Sequence, residues 1–185
     1  MSRERRCLNL STGSYRSASL PVPERGTTGG YVAALKAVEG REDLPGSDYL
    51  LAFHATLQGG GRPSVGRTAA VGSYRLWTRA GRDSGIQRIT FGDQHSADEA
   101  SYLTLCAALD DVLGRILRRG GDPATFSAAV LGGNQLVIRQ LTGEYRVRAP
   151  TLQPLHAQAR ERLSRFKQSV AEWRPTTEIL GQLRR

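Results

Sequence analysis

The sequence predicts an α/β domain built on a five-stranded mixed sheet, with its first three strands antiparallel and helices packed against it. Three observations carry the expectation. Strand-length apolar runs separated by turn residues fill positions 49 to 92, a strongly patterned helix follows Ser96, and strand and helix textures alternate from there to the end. At 185 residues the chain has room for one domain of ordinary size plus some extra length, and such a core needs no disulfide or metal.

Residues 1–47 contain RSASLPVPERGTTGG, a polar, proline- and glycine-rich run without period, then YVAALKAVEG, which suits one short helix. This region is expected to be a mostly disordered N-terminal extension to a domain spanning 48–185. The first strand is YLLAFHATL, an apolar, aromatic and β-branched run, and the GGGRPSVG after it is turn chemistry. VGRTAAVGSYRLWT and IQRITFG read as two further strands joined by the turn RAGRDSG, a hairpin that makes antiparallel neighbours.

Ser96 is placed to cap the next helix, with Glu99 three residues on as its capping-box partner. Leu105, Leu109, Val112 and Ile116 follow at helical spacing before Arg118, Arg119 and a glycine stop. FSAAVLG is then a short buried strand and NQLVIRQLTG a short helix. In TLQPLHAQARERLSRFKQSVAEW, a stripe of Leu152, Leu155, Ala159, Leu163, Phe166 and Val170 predicts a second long helix, rich in arginine elsewhere. It should give way to a short strand around 169–173, and RPTTEILGQLRR supplies a brief terminal helix.

The formal charge of +9 is almost all arginine, since Lys36 and Lys167 are the only lysines. The charges of residues 1–47 nearly cancel, so most of the excess belongs to the folded part. Arginine forks match phosphate geometry, which makes nucleic acid a plausible partner; solvated surface is the plainer explanation. Cys7 and Cys106 are too few for a disulfide framework or zinc site, and Cys106 falls on the helix stripe as core. Without a run of about 20 apolar residues or a secretory leader, the expectation is a soluble, cytoplasmic protein that does not enter a membrane.

From residue 49 onward this element order and several stretches resemble the ribonuclease H family, particularly its bacterial and reverse-transcriptase-like branch. In VLGGNQLVIRQLTGEYRVRAPTLQPLHAQARERLSRF, the residues Gly132, Gln135, Leu136, Val137, Gln140, Leu141, Gly143, Glu144, Tyr145, Arg146, Arg148, Leu152 and Phe166 fall in register with that family's pattern. Glu99, Ala100, Tyr102 and Leu105 keep the places of its first helix motif, and LLAFHATL and RPSVGRT match more loosely.

The resemblance implies a fold that in active members holds two Mg²⁺ ions on four carboxylates. Here those four positions fall on His54, Ser101, Gly133 and Gly181, none of them a carboxylate. Asp98, one turn before Ser101 on the same helix face, is the only nearby stand-in. The expectation is therefore a domain without catalytic residues, metal ligands or cofactor. Arg62, Asn134, Gln135, Arg139, Arg146 and Arg148 are the candidate nucleic-acid contacts. Three functions stay open: a non-cleaving domain that binds RNA–DNA hybrid or duplex RNA, a scaffold docking a protein partner through the N-terminal tail or the arginine-rich helix, or a ribonuclease with relocated ligands. A set of His54, Ser101 and Asn134 with imidazole as base lacks an orienting partner and an electrophile stabiliser. His95 reads as a neighbour of the cap, and His156 as a surface helix residue.

Overall fold

The computed structural model describes residues 47–57, 69–92 and 95–184. The expected extension with its short helix, and the turn carrying Arg62, lie outside the described residues.

Strand β1 (Tyr49–Leu57) pairs antiparallel with β2 (Ala70–Thr78), which pairs antiparallel with β3 (Asp83–Phe91). Helix α1 (Ala97–Arg118) then carries the chain across the sheet, so that β4 (Ser127–Gly132) enters parallel to β1, with Tyr49 opposite Ala128 and Phe53 opposite Gly132. A short helix, α2 (Gln135–Leu141), and a longer one, α3 (Leu152–Ser164), lead into β5 (Gln168–Trp173), parallel to β4, and α4 (Thr176–Arg184) follows. The strand order is β3-β2-β1-β4-β5, the five-stranded mixed sheet that the sequence predicts.

The capping box forms as expected. Glu99 N–H donates to Ser96 Oγ at 3.2 Å, and Ser96 N–H donates to Glu99 Oε2 at 2.8 Å, which satisfies two of the donors a helix start leaves open. Leu105, Leu109, Val112 and Ile116 are buried against one face of the sheet, together with Leu51, Phe53, Val130 and the α3 residues Leu152, Ala159 and Leu163. The other face is a smaller cluster in which Ile179 and Leu183 of α4 cover Leu50, Ala52, Trp77, Ala129 and Leu131. Helix α1 lies close on β2 because residue 72 is glycine: a Cβ there would collide with Thr104 Oγ1.

Two boundaries differ from expectation. The β2–β3 turn is shorter than RAGRDSG, because Thr78 N–H donates to Arg82 O at 2.8 Å and the buried pair of Arg75 with Asp83 draws residue 83 into the ladder. The second long helix stops at Ser164. Phe166 still reaches the core from beyond its end, but Val170 is a strand residue opposite Ala129 rather than a member of the helical stripe. Cys106 is buried and free, as its place on the stripe requires, and burial pushes its thiol up to about 11.

Candidate functional site

The carboxyl ends of β1 and β4 meet the first turns of α1 and the start of α4, and five of the positions singled out in the sequence, His54, Asp98, Ser101, Gly133 and Asn134, come together there. His54 is the sixth residue of β1 and is half buried. Gly133 follows β4, and its missing side chain leaves room for its neighbours: a Cβ would lie 3.2 Å from His54 Nδ1 and 3.2 Å from Thr176 Oγ1. Asn134 caps α2, its Oδ1 accepting from Val137 N–H at 3.3 Å. Its Nδ2 donates to Asp98 Oδ1 at 2.8 Å and Ser101 Oγ at 3.2 Å, tying α2 to the first turns of α1. Ser101 in turn donates to Ala97 O at 2.7 Å. Asp98, Asn134 and Ser101 are thus bonded to one another, with His54 and Thr176 on either side of the space left at Gly133. Burial lowers the His54 pKa below its ordinary 6.5 and favours the neutral imidazole.

Gly181 is not part of this group. It sits in the middle of α4 with nothing within 4 Å of the Cβ it would carry. Only Arg174 and Pro175 separate β5 from α4, so the start of that helix lands beside Gly133 and the residue found there is Thr176. Trp173 also borders the site: its Nε1–H donates to Gly133 O at 3.2 Å while 40% of its surface stays exposed. Neither Thr176 nor Trp173 stood out in the sequence, although the break from strand to helix at RPTT was the available signal.

The basic candidates separate into two kinds. Arg139 is bound locally, 5.2 Å from the Tyr145 ring centroid, 3.1 Å from its hydroxyl and 3.7 Å from Glu144. Gln135 is exposed on the first turn of α2, one helical turn before Arg139. Arg146 and Arg148 are exposed and form no ion pair among the described residues. Arg146 borders an open hollow of about 560 Å³ with Tyr145, Gln153, His156 and Arg160. His156 is less superficial than expected, since its Nε2 lies 3.2 Å from Gln140 O and its ring stands edge-on to buried Tyr102.

The donor chemistry does not fit a pair of divalent ions. Magnesium requires hard anionic oxygen, and the converging groups offer an imidazole, two hydroxyls, an amide and one carboxylate already bonded to Asn134. Among the described residues no three His, Cys, Asp or Glu side chains are grouped as ligands. No helix among them is long and apolar enough to cross a membrane.

No protein-family model matches the sequence, and no curated protein matches it. Solved structures do. The N-terminal RNase H domain of a Mycobacterium tuberculosis protein, solved as a fusion with maltose binding protein, shares 24% identity over 73% of this chain and 87% of its own, with a TM-score of 0.58. RNase H1 of the halophilic archaeon Halobacterium salinarum gives 23%, 71%, 89% and 0.57 for the same quantities. LC11-RNase H1, solved in complex with an RNA/DNA hybrid, gives 20%, 70%, 87% and 0.56. With the strand order, the helical crossover and these superpositions in agreement, the chain has the ribonuclease H-like fold.

Proposed function

We propose that this domain binds double-helical nucleic acid, an RNA–DNA hybrid or duplex RNA, through backbone shape and phosphate contacts, and that it does not cleave what it binds. The observation that carries the reading is the exchange of charge at the carboxyl ends of β1 and β4. Of the four places that the family resemblance gives to carboxylates, two carry the neutral groups His54 and Ser101 and two are glycine, Asp98 is the one carboxylate among these groups, and exposed Arg146 and Arg148 lie on the loop beyond α2. A cluster of four carboxylates without its metals would repel phosphate strongly; here Asp98 alone brings negative charge. Binding then needs no divalent ion. A hybrid held by a similar fold in LC11-RNase H1 supports the choice of ligand.

The test uses the full chain with labelled hybrid, duplex RNA and single strands, with and without Mg²⁺ or Mn²⁺. Expected are binding of the two duplexes that weakens as salt rises, no cleavage with either ion, and weaker binding by Arg146→Ala/Arg148→Ala with a shallower salt slope, by about one unit for each phosphate left without its arginine. Metal-dependent cleavage abolished by Asp98→Ala would establish relocated ligands instead. Absence of duplex binding at low salt would overturn the reading and leave a protein-docking scaffold as the alternative.

A further inference from the structure

At the opposite end of the sheet a second set of arginines converges, from the β2–β3 turn and the far end of α1. The β2–β3 turn contributes Arg79 and Arg82, and the C-cap of α1 contributes Arg119. They rim a hollow of about 410 Å³ whose other walls include Asp48, Tyr49, Ile116 and Phe126. Arg82 and Arg119 are exposed and form no ion pair among the described residues. Asp48, the one acidic residue of the lining, turns its Oδ2 to Ser127, accepting the N–H and the hydroxyl, each at 2.8 Å, and so clasps β1 to β4; it forms no ion pair with Arg82 or Arg119. Burial raises the pKa of the Tyr49 phenol and the charge of Asp48 adds to that rise, while the positive charges of Arg119, Arg82 and Arg115 oppose it.

A plainer explanation covers only part of this set. Arginines in the last turn of a helix are stabilised by its negative end, which accounts for Arg115 and Arg118 and favours Arg119. Arg79 and Arg82 belong to a hairpin turn and gain nothing from that dipole by their place in the sequence. Their meeting with Arg119 comes from the fold, and it sets three arginines against the single carboxylate of the lining, Asp48.

We propose that this hollow is a second phosphate-binding site, which takes the phosphate group of a nucleotide on Arg82 and Arg119 and the attached sugar and base against Tyr49 and Phe126. Guanidinium groups bind phosphate oxygens by paired, charge-assisted hydrogen bonds. The two rings meet edge to face at 5.6 Å between centroids and give the hollow an apolar wall that a bare anion would leave unused. The site is independent of the proposed duplex interface. His54 lies five residues along β1 from Tyr49, a distance of about 17 Å.

The experiment follows the arginine side-chain Nε–Hε signals of the full-length protein by nuclear magnetic resonance at low salt, titrating with inorganic phosphate, adenosine monophosphate and a short single-stranded oligonucleotide. Saturable shifts of Arg82 and Arg119 are expected, with the monophosphate tighter than inorganic phosphate. Arg82→Gln/Arg119→Gln should weaken that binding about tenfold or more, whereas Arg146→Gln/Arg148→Gln should leave it unchanged. Shifts with the monophosphate but not the oligonucleotide assign the site to free nucleotides, and the reverse assigns it to a polymer backbone. If no probe shifts these signals, or if the Arg82→Gln/Arg119→Gln protein binds equally well with an unchanged circular dichroism spectrum, the proposal is overturned. Because the wild-type titration alone can do this, misfolding of the variant would not protect it, and loss of duplex binding at the other end would leave it untouched.

Discussion

The two ends of the β1–β4 pair are built from opposite kinds of polar group. At the carboxyl ends, His54, Ser101, Asn134 and Thr176 are short and neutral or nearly so, and glycine brings two of them together. At the amino ends, a carboxylate clasps the strands and long cationic side chains surround it. The difference teaches where each end gets its rigidity. The first depends on close packing around glycine and on a hydrogen-bond chain through Asn134 in which Asp98 is the one charged group, so it has shape but little charge. The second depends on a charge-assisted clasp, leaving guanidinium groups beside it exposed to a ligand.

The largest effect should come from filling the space at the first end. In Gly132→Ala the new Cβ would lie 2.7 Å from Phe53 Cε1, 2.8 Å from Phe53 Cζ and 2.9 Å from Ile138 Cδ1, and both neighbours are core residues that cannot yield. A loss of about 2–3 kcal/mol in urea unfolding is expected. Gly133→Ala, one residue on, meets its neighbours at 3.2 Å at the edge of the structure and should cost less than about 1 kcal/mol. Equal costs at the two positions would show that the close packing at Gly132 is not what fixes this end.

A smaller loss is expected at the other end. Asp48→Ala removes the acceptor that holds both Ser127 groups, and should cost about 1–2 kcal/mol by the same measurement. It also takes a negative charge from beside Arg82 and Arg119, so phosphate affinity should rise while stability falls. A variant that loses stability without binding phosphate more tightly would separate the clasp from the arginine hollow.

Much of the first end was legible because local signals and long-range packing agree. Ser96 with Glu99 marks the start of α1, the spacing of Leu105, Leu109, Val112 and Ile116 fixes its buried face, and Asn134 and Gln135 open α2. Thr176 was missed because the two-residue link from β5 sets where α4 begins, and periodicity within a nine-residue helix says nothing about what its first residue touches. The arginine hollow was missed for a stronger reason. Arg82 and Arg119 are brought together only when α1 crosses the sheet toward the β2–β3 turn, and no local pattern in the sequence records that meeting. The β3 start and the end of α3 were misread where a tertiary contact, the Arg75–Asp83 pair or the pairing of Val170 with Ala129, overrode the local pattern.

The smallest effect concerns His54. Its folded-state pKa is lowered by burial, so the unfolded chain takes up the proton first as pH falls. Stability linked to this group is present in full above about pH 6.5, and is lost as pH falls from there through the lower folded value. His54→Asn should abolish that part of the acid limb and change little at about pH 8, and because His95 and His156 are common to both proteins, the difference between the two unfolding curves isolates His54. A difference that stays flat down to about pH 5 would mean the imidazole gains no proton linkage from its place beside Gly133. Duplex binding should move the other way: a proton on His54 adds positive charge at the end proposed to face phosphate, so affinity should rise as pH falls in the wild type and rise less in the variant.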